Sequence, residues 1–357
     1  MTRADGLRRI HINTARSSAS KDVRAGFHLW GRMSTYNKPY LTFQQQLELL
    51  KARGLEVTDD ATALSYLSRI GYYRLSAYWY SQRRTSLIQD PATKKISVHR
   101  EDDFHPGSRF QHALELYVFD KRLRLLVLDA IERIEVAIRV DIAYQLGARD
   151  PFAHTNPALL HGNFTKKLNP ATGRTRYQDW LDKYNQVLSR SKEDFVRHYK
   201  QKYGLPLPIW VSVELWEFGM LSMFYQGMTV ADKTAIAVKY GIPDWQVMET
   251  WLRSLNFVRN VAAHHSRLWN KNLVDQPKLP KLGDIAEFDP LVDKPDINSR
   301  LYVVLCILIY FMRGICPNSS WPQRLREMLD TFPNVPKLTV LDMGFPTDWE
   351  THSFWKV

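Results

Sequence analysis

The segment from residue 109 to residue 146 constrains the fold more than any other part of the chain. Its apolar residues recur at spacings of three and four, and no Pro or Gly interrupts it before Gly147. Such spacing places apolar side chains on one face of a helix. This face consists of Leu116, Phe119, Leu123, Leu126, Ala130, Ile134, Ala137 and Ile138. We therefore predict one long helix whose apolar face is buried by other helices.

Helical periodicity continues through most of the chain. Further helices are predicted at 43–53, 61–69, 176–202, 208–226, 230–240, 244–269 and 297–315. Asp59 or Asp60 is suited to cap the second of these helices, and Gly54 and Gly71 are typical of helix ends. We find neither a sustained alternation of strands and helices nor a Gly-rich phosphate-binding loop. The predicted fold class is all-α.

Composition and loop-like sequence divide the chain into five segments. These are a basic tail at 1–35, an N-terminal helical segment at 36–84, a loop that could be a hairpin at 85–108, a helical core at 109–316, and a C-terminal tail at 317–357 that packs on the core. Residues 1–32 hold seven basic and two acidic residues and so supply +5 of the net charge. This composition predicts disorder; a basic arm that grips RNA, and a true start at Met33, are the alternatives.

The overall charge and the two cysteines narrow the class of protein. The chain carries 49 Lys and Arg against 37 Asp and Glu, a formal +12, which favours nucleic acid as partner and an anionic membrane surface second. Cys306 and Cys316 are too few for a disulfide-rich scaffold or a Cys-based zinc site. The longest apolar run, Leu301–Met312, is too short to cross a bilayer, and the N-terminus lacks a secretory signal. We expect a cytoplasmic protein with reduced thiols and no membrane association.

The segment that carries chemistry is Arg259-Asn260-Val-Ala-Ala-His264. The same Arg-to-His spacing occurs at Arg100/His105 and Arg149/His154, but those pairs lie in loop-like sequence, so spacing alone is weak evidence. On the predicted 244–269 helix, Asn260, His264 and Arg267 share a face. His265 lies on a different face. A polar stripe among apolar residues is either an internally satisfied structural cluster or a site.

The chemistry that fits this stripe is cleavage of RNA without a metal. A histidine can take the proton from a ribose 2′-OH, because both of its protonation states are accessible near neutral pH. The oxygen then attacks the adjacent phosphate, whose developing charge a planar guanidinium can pair with. Since one isolated imidazole would be a weak catalyst, we expect two copies of the site to face each other in a homodimer.

A second cluster mixes arginines with aromatic residues. We predict RNA contacts by Arg69, Tyr72, Tyr73, Arg74 and Trp79. Aromatic rings interleaved with Arg can stack unpaired bases and hold phosphates. Ordinary packing of one helical segment on another is the alternative. The charges of Glu132-Arg133 and Glu135-Arg139 are expected to form ion pairs within or between helices, with the lining of a dimer cleft as the alternative.

Many short segments of the chain carry a resemblance to one family. They are Lys38-Pro39, Gln46, Leu50, Arg53-Gly54-Leu55, Gly71 to Ser76, Tyr78-Trp79, Leu116-Tyr117, Phe119-Asp120, Leu123-Arg124, Ile131 to Glu135, Pro208-Ile209-Trp210, Phe218-Gly219, Arg259-Asn260, Ala263 to Asn270, Gly344-Phe345-Pro346 and Asp348-Trp349. With these residues the chain resembles the abortive-infection AbiD/AbiF-type family of bacterial phage-defence proteins, which is placed in the HEPN superfamily.

The resemblance implies a HEPN-type helical bundle with an N-terminal helical extension, a homodimer, and an RNA-cleaving, toxin-like activity. Matched by position, Arg259 and His264 are the catalytic pair and Asn260 is the Asn of the motif. His265 and Arg267 are then supporting residues, His265 being an alternative base. The resemblance implies an RNA or protein partner that restrains the activity. The 2′-OH chemistry needs no metal or cofactor, and no acidic or Cys ligand stands at metal spacing beside His198, His264 and His265. A HEPN module that binds a structured RNA without cutting it is the alternative.

Overall fold

The computed structural model describes residues 38–91 and 93–356. The predicted tail at 1–35, and the question of a start at Met33, lie outside these residues. The chain from Phe43 onward forms one compact unit, and its fold is described below.

Three short helices open this unit: α1 at Phe43–Ala52, α2 at Asp60–Arg69 and α3 at Tyr72–Trp79. Asp59 is the N-cap of α2, as predicted, because its carboxylate accepts hydrogen bonds from the amides of Ala61 and Thr62. Gly54 and Gly71 follow α1 and α2 with φ of 87° and 89°, a backbone region that Gly enters without steric cost. The sequence signals therefore place these helix ends correctly.

The segment expected to be a loop or a hairpin is a hairpin. Strand β1 at Arg83–Gln89 pairs with β2 at Ile96–Phe104 in an antiparallel sheet. Leu87 lies opposite Val98, and both side chains are exposed. These strands are the only sheet within the described residues, where all other long elements are helices.

The predicted long helix is α4, at Phe110–Gly147, and it is the scaffold of the fold. Its 38 residues give a length of about 57 Å at 1.5 Å per residue. The following helices are α5 (Gly162–Thr165), α6 (Arg176–Arg190), α7 (Asp194–Tyr203), α8 (Ile209–Ser212), α9 (Phe218–Gly227), α10 (Val230–Lys239), α11 (Trp245–Ala263), α12 (Leu301–Ile315) and α13 (Trp321–Asp330). Helix α4 packs against α3 and against α8 to α13. It therefore joins the N-terminal helices to the rest of the core.

Two segments predicted as single helices are each divided. The predicted helix 176–202 breaks after α6, where Ser191 turns to an extended conformation. The predicted helix 208–226 breaks at Trp216, whose backbone is extended. This break allows the buried Trp216 ring to pack edge-on against Trp180, 5.0 Å away, and against Phe224. Tertiary burial of one aromatic side chain thus overrides the helical periodicity.

Helix α12 is buried along nearly its whole length, as the apolar run suggests. It begins at Leu301 rather than at the predicted residue 297. Cys306 is buried and Cys316 is half-buried, and both are free thiols. From the C-terminal segment, the buried Trp321 indole donates a 2.8 Å hydrogen bond to the carbonyl of Leu126 on α4. Within residues 38–91 and 93–356, the helices are too short or too polar to cross a membrane.

Candidate functional site

The Arg-Asn-x-x-x-His motif lies at the C-terminal end of α11. The amide of His264 still donates to the carbonyl of Asn260, at 3.0 Å, so these two residues belong to the same last turn. The amide of His265 then donates to Ala262, and that of Ser266 donates to Val261. This pair of bonds is a Schellman motif, which satisfies the last carbonyls of a helix and reverses the chain.

His265 occupies the left-handed position of this turn, with φ of 56°. Gly usually takes that position, because a side chain there costs about 1–2 kcal/mol. The helix therefore ends six residues earlier than the predicted 269, and the prediction that Arg267 shares a helix face with His264 is wrong. The Arg267 guanidinium instead donates a 2.7 Å hydrogen bond to the carbonyl of Ala77 on α3.

The three motif side chains differ in exposure. Arg259 and Asn260 are half-buried, whereas His264 is exposed at the end of the helix. The Arg259 guanidinium donates to the side-chain oxygen of Asn260 at 3.3 Å. A guanidinium can pair with a phosphate oxygen, and an accessible imidazole five residues later can transfer a proton.

An acidic residue of α4 lies in the electrostatic surroundings of Arg259. Burial raises the pKa of the Glu135 carboxyl, and the charges of Arg139 and Arg259 oppose that shift. Glu135 forms the predicted ion pair with Arg139. Arg139 also donates to the carbonyl of Trp216 at 2.6 Å, which fixes it between α4 and the start of α9.

The charge of Arg133 also forms an ion pair within α4, with Asp129 as its partner. Arg133 contacts Asp129 at 3.0 Å, one turn earlier, and not Glu132. An i, i+4 pair lies on one face of a helix, whereas adjacent residues point in different directions. Arg133 also donates to the Ser319 hydroxyl, so this charge supports packing of the C-terminal segment.

The segment that follows the motif is anchored to helix α4. We call residues 265–269 the exit loop. Asp120 on α4 is fully buried, and its carboxylate accepts hydrogen bonds from the amides of Leu268 (3.0 Å) and Trp269 (2.8 Å). The Arg124 guanidinium and the Tyr78 hydroxyl also contact this carboxylate, the latter at 2.7 Å. Burial raises the pKa of Asp120, and these partners oppose the rise. A buried carboxylate needs such partners.

Helix α3 anchors the exit loop from a second side. The Arg74 guanidinium donates a 2.5 Å hydrogen bond to the carbonyl of His265. The two elements thus exchange hydrogen bonds. Arg74 of α3 donates to a main-chain carbonyl of the exit loop, and Arg267 of the exit loop donates to a main-chain carbonyl of α3. A cleft of about 210 Å³ lies between them, lined by Tyr73, Arg74, Ala77, Tyr78, His265, Ser266 and Arg267.

The five residues predicted to contact RNA have different environments. Tyr73 is 91 % exposed, and Arg69 and Arg74 are exposed as well. Trp79 is fully buried, with its ring against Tyr72 and Phe110. The prediction that Trp79 stacks on bases is therefore wrong, because neither face of its ring is accessible. Tyr72 is half-buried, its ring forms a T-shaped pair with Trp79, and its hydroxyl accepts a hydrogen bond from Arg53.

Asp120, Arg124 and Tyr78 are site residues that the sequence analysis did not single out as functional. A signal for them was present, since Asp120 and Arg124 interrupt the apolar face of α4 next to Phe119 and Leu123. A charged pair on a buried face must be satisfied inside the protein. Periodicity could not show that its partner would be a loop 149 residues away.

Of the other Arg-to-His pairs, Arg149/His154 is not a comparable exposed site. The Arg149/His154 spacing places His154 in the interior, where its ring packs edge-on against Tyr184. Across the part of the chain that the structure describes, no group of three or more His, Cys, Asp or Glu side chains could hold a metal ion.

Comparison with known proteins gives one match. A family model described as "Abi-like protein" matches residues 65–270. The match runs from α2 to just past the exit loop, and so includes α3, α4 and α11. No curated protein and no solved structure matches the chain.

Proposed function

This chain belongs to the Abi-like family of abortive-infection proteins, and on that premise we propose that it is a metal-independent endoribonuclease of bacteriophage defence. The proposal assigns a HEPN-type bundle to the helices around α4, α11 and α12. It takes RNA as substrate and a homodimer as the active form. It also includes a cytoplasmic location, where cellular RNA is found, and an RNA or protein partner that restrains the activity.

One observation carries the proposal: an exposed His264 at the end of α11 follows, by five residues, a half-buried Arg259 whose guanidinium contacts Asn260. In the proposed reaction the His264 imidazole takes the proton of a ribose 2′-OH. The freed 2′ oxygen attacks the adjacent phosphorus, and the bond from phosphorus to the 5′ oxygen breaks. The 5′ oxygen leaves with a proton from a second acid, so the products are a 2′,3′-cyclic phosphate and a 5′-OH.

Arg259 has the electrostatic role in this scheme. Its guanidinium would pair with the non-bridging oxygens of the phosphate, whose charge grows as the fifth oxygen bonds to phosphorus. Asn260 would keep the guanidinium directed at that position through its side-chain oxygen. Glu135, whose charge reaches Arg259 across the α4–α11 contact, would keep that side chain from extending into solvent.

The second acid is assigned to His264 of a second copy. Val136, Val140 and Tyr144 of α4 and Trp210 of α8 are between 49 % and 82 % exposed. Val140, Tyr144 and Trp210 line a shallow groove together with Glu214. An exposed apolar surface of this kind supports self-association, and we propose that a second copy packs on it.

The proposal is tested with purified wild type, Arg259→Ala and His264→Ala proteins on total cellular RNA in the presence of EDTA. Wild type should cut the RNA, and each variant should lose at least about 100-fold in rate, because His264 transfers the proton and Arg259 stabilises the developing charge. His198→Ala, which removes an exposed histidine of α7 outside the motif, is the matched control and should still cut. Retention of full activity by folded, dimeric His264→Ala would overturn the proposal. A wild type that binds RNA but produces no new ends would indicate the non-catalytic binding module instead.

A further inference from the structure

The exit loop after His264 is held more firmly than the end of a surface helix requires. Its main chain meets three side chains from other elements: Asp120 and Arg124 on α4, and Arg74 on α3. Each of these side chains contacts a main-chain atom of the loop. The bonds therefore fix the path of the backbone independently of the conformations of the loop side chains.

The residue that most needs this support is His265. Its left-handed backbone is strained for a side chain with a Cβ atom. Strained conformations of this kind persist only where the surroundings over-determine them, and they concentrate at functional sites. The Arg74 guanidinium holds the carbonyl of that same residue at 2.5 Å.

The position of His264 depends on this turn. It is the C-cap of α11, with φ of −85° and ψ of 12°, so its backbone lies between the helix and the strained residue. A shift of the turn at His265 rotates the peptide plane that follows His264. It thereby moves the direction in which the imidazole leaves the helix end.

We propose that Arg74 and Asp120, which lie outside the Arg259–His264 motif, are positioning residues that set the direction of the His264 side chain through the exit loop. This inference rests on the proposed ribonuclease function. Arg74 acts on the near end of the loop, at His265, and Asp120 acts on the far end, at Leu268 and Trp269. The N-terminal helical segment thereby becomes part of the catalytic apparatus without contacting the reacting atoms.

A positioning role and a phosphate-binding role for Arg74 predict different kinetics. If Arg74 binds the substrate phosphate, its loss raises KM. If it positions His264, its loss lowers kcat and leaves KM nearly unchanged, because a misplaced base affects the reaction and not the ground-state complex. A lysine at position 74 can still donate to the carbonyl of His265 and should rescue the positioning role.

The experiment compares wild type, Arg74→Ala, Arg74→Lys and the charge-matched control Arg190→Ala, which removes an exposed arginine at the end of α6. Two readouts are taken: steady-state cleavage of a single-stranded RNA oligonucleotide, and hydrogen exchange of the peptide that spans the exit loop. For Arg74→Ala we expect kcat to fall at least about tenfold with KM changed less than about twofold. Exchange of the loop amides should rise about fivefold, the effect of one lost hydrogen bond. Arg74→Lys should lie close to wild type, and Arg190→Ala should match it in both readouts.

Asp120→Ala gives a second, independent arm, because it removes the acceptor of the Leu268 and Trp269 amides, and exchange of these amides should rise at least about fivefold in the folded variant. A rise in KM at constant kcat for Arg74→Ala, or unchanged loop exchange in both Arg74→Ala and Asp120→Ala, would overturn the inference. The proposed function would fail in a different way: His264→Ala would retain activity, or wild type would not cut RNA. Hydrogen exchange would still decide whether Arg74 and Asp120 hold the loop.

Discussion

The buried carboxylate of Asp120 accepts a 2.8 Å hydrogen bond from the main-chain amide of Trp269, 149 residues later in the chain. This bond ties the first third of the scaffold helix α4 to the segment that follows the motif histidine. A surface histidine at a helix end would otherwise depend on a fraying turn for its position. Because the loop is anchored to the buried face of α4, the site gains the rigidity of the core.

Asp120 is therefore expected to contribute to stability as well as to geometry. Asp120→Ala should lower the free energy of unfolding by about 3–5 kcal/mol, because it leaves the Arg124 guanidinium buried without its partner. Urea unfolding followed by tryptophan fluorescence measures this. The neighbouring exposed Lys121 provides the control, and Lys121→Ala should change the free energy by less than about 0.5 kcal/mol. A loss below about 1 kcal/mol for Asp120→Ala would show that this network is not anchored as described.

Because His265 has a left-handed backbone, we expect two substitutions at this position to change the stability of the protein in opposite directions. His265→Gly should leave stability unchanged or raise it by up to about 1 kcal/mol, because Gly adopts a positive φ without steric cost. His265→Val should lower it by about 1–2 kcal/mol, because a β-branched residue fits this region poorly. Denaturant midpoints of the two variants decide the matter.

The same pair separates the roles of the two histidines. His265→Gly should retain RNA cleavage if His264 is the base, since the turn survives the loss of the imidazole. Loss of cleavage in a stable His265→Gly protein would transfer the catalytic role to His265.

The interior histidine His154 predicts a dependence of stability on pH. Burial lowers the pKa of its imidazole to about 4, and within the described residues neither ring nitrogen has a hydrogen-bond partner. In the unfolded chain this group binds a proton near pH 6.5. The unfolded state therefore gains stability as the pH falls from 6.5 toward 4, and the folded protein loses about 3 kcal/mol over that range.

The variant His154→Phe isolates this effect, because phenylalanine keeps an aromatic ring against Tyr184 and Trp216 and does not titrate. The difference in unfolding free energy between wild type and variant, measured from pH 7 to pH 4, should shift by about 3 kcal/mol in favour of the variant. Parallel curves for the two proteins would contradict the burial of a neutral imidazole.

Arg259 should contribute to the salt dependence of RNA binding. For a single-stranded RNA, each phosphate contact adds about 0.7 to the slope of log affinity against log salt. Arg259→Ala should therefore reduce the slope by about 0.7, whereas His264→Ala should leave it nearly unchanged, because the proposed base makes no phosphate contact. A titration of labelled RNA from 50 to 300 mM salt measures both. An unchanged slope for Arg259→Ala would contradict a phosphate contact by this residue.

The local parts of this architecture could be predicted from the sequence. The face of α4, the cap at Asp59 and the burial of α12 follow from periodicity and side-chain chemistry within a few turns. The end of α11 could not, because a histidine takes the place of the Gly that usually marks a left-handed turn. The burial of Trp79 could not be predicted either. The basic and aromatic residues around it are the same whether its ring faces solvent or packs against Phe110.

The partners of the site could not be predicted at all, since they are distant in the chain. Arg74 and His265 lie 191 residues apart, and only the packing of α3 beside the end of α11 brings them together. Charged residues on an apolar helix face indicate a buried hydrogen-bond network. They do not identify the segment of the chain that the network contacts.

The central claim is that His264 drives cleavage by the 2′-OH of the RNA itself. The most direct measurement identifies the 3′ ends of RNA cut by the wild-type protein in EDTA, with His264→Ala as the comparison. Wild type should produce 2′,3′-cyclic phosphate ends, and these ends should be lost in the variant. Ends that carry a 3′-OH, or cyclic phosphate ends that persist in folded His264→Ala, would contradict it.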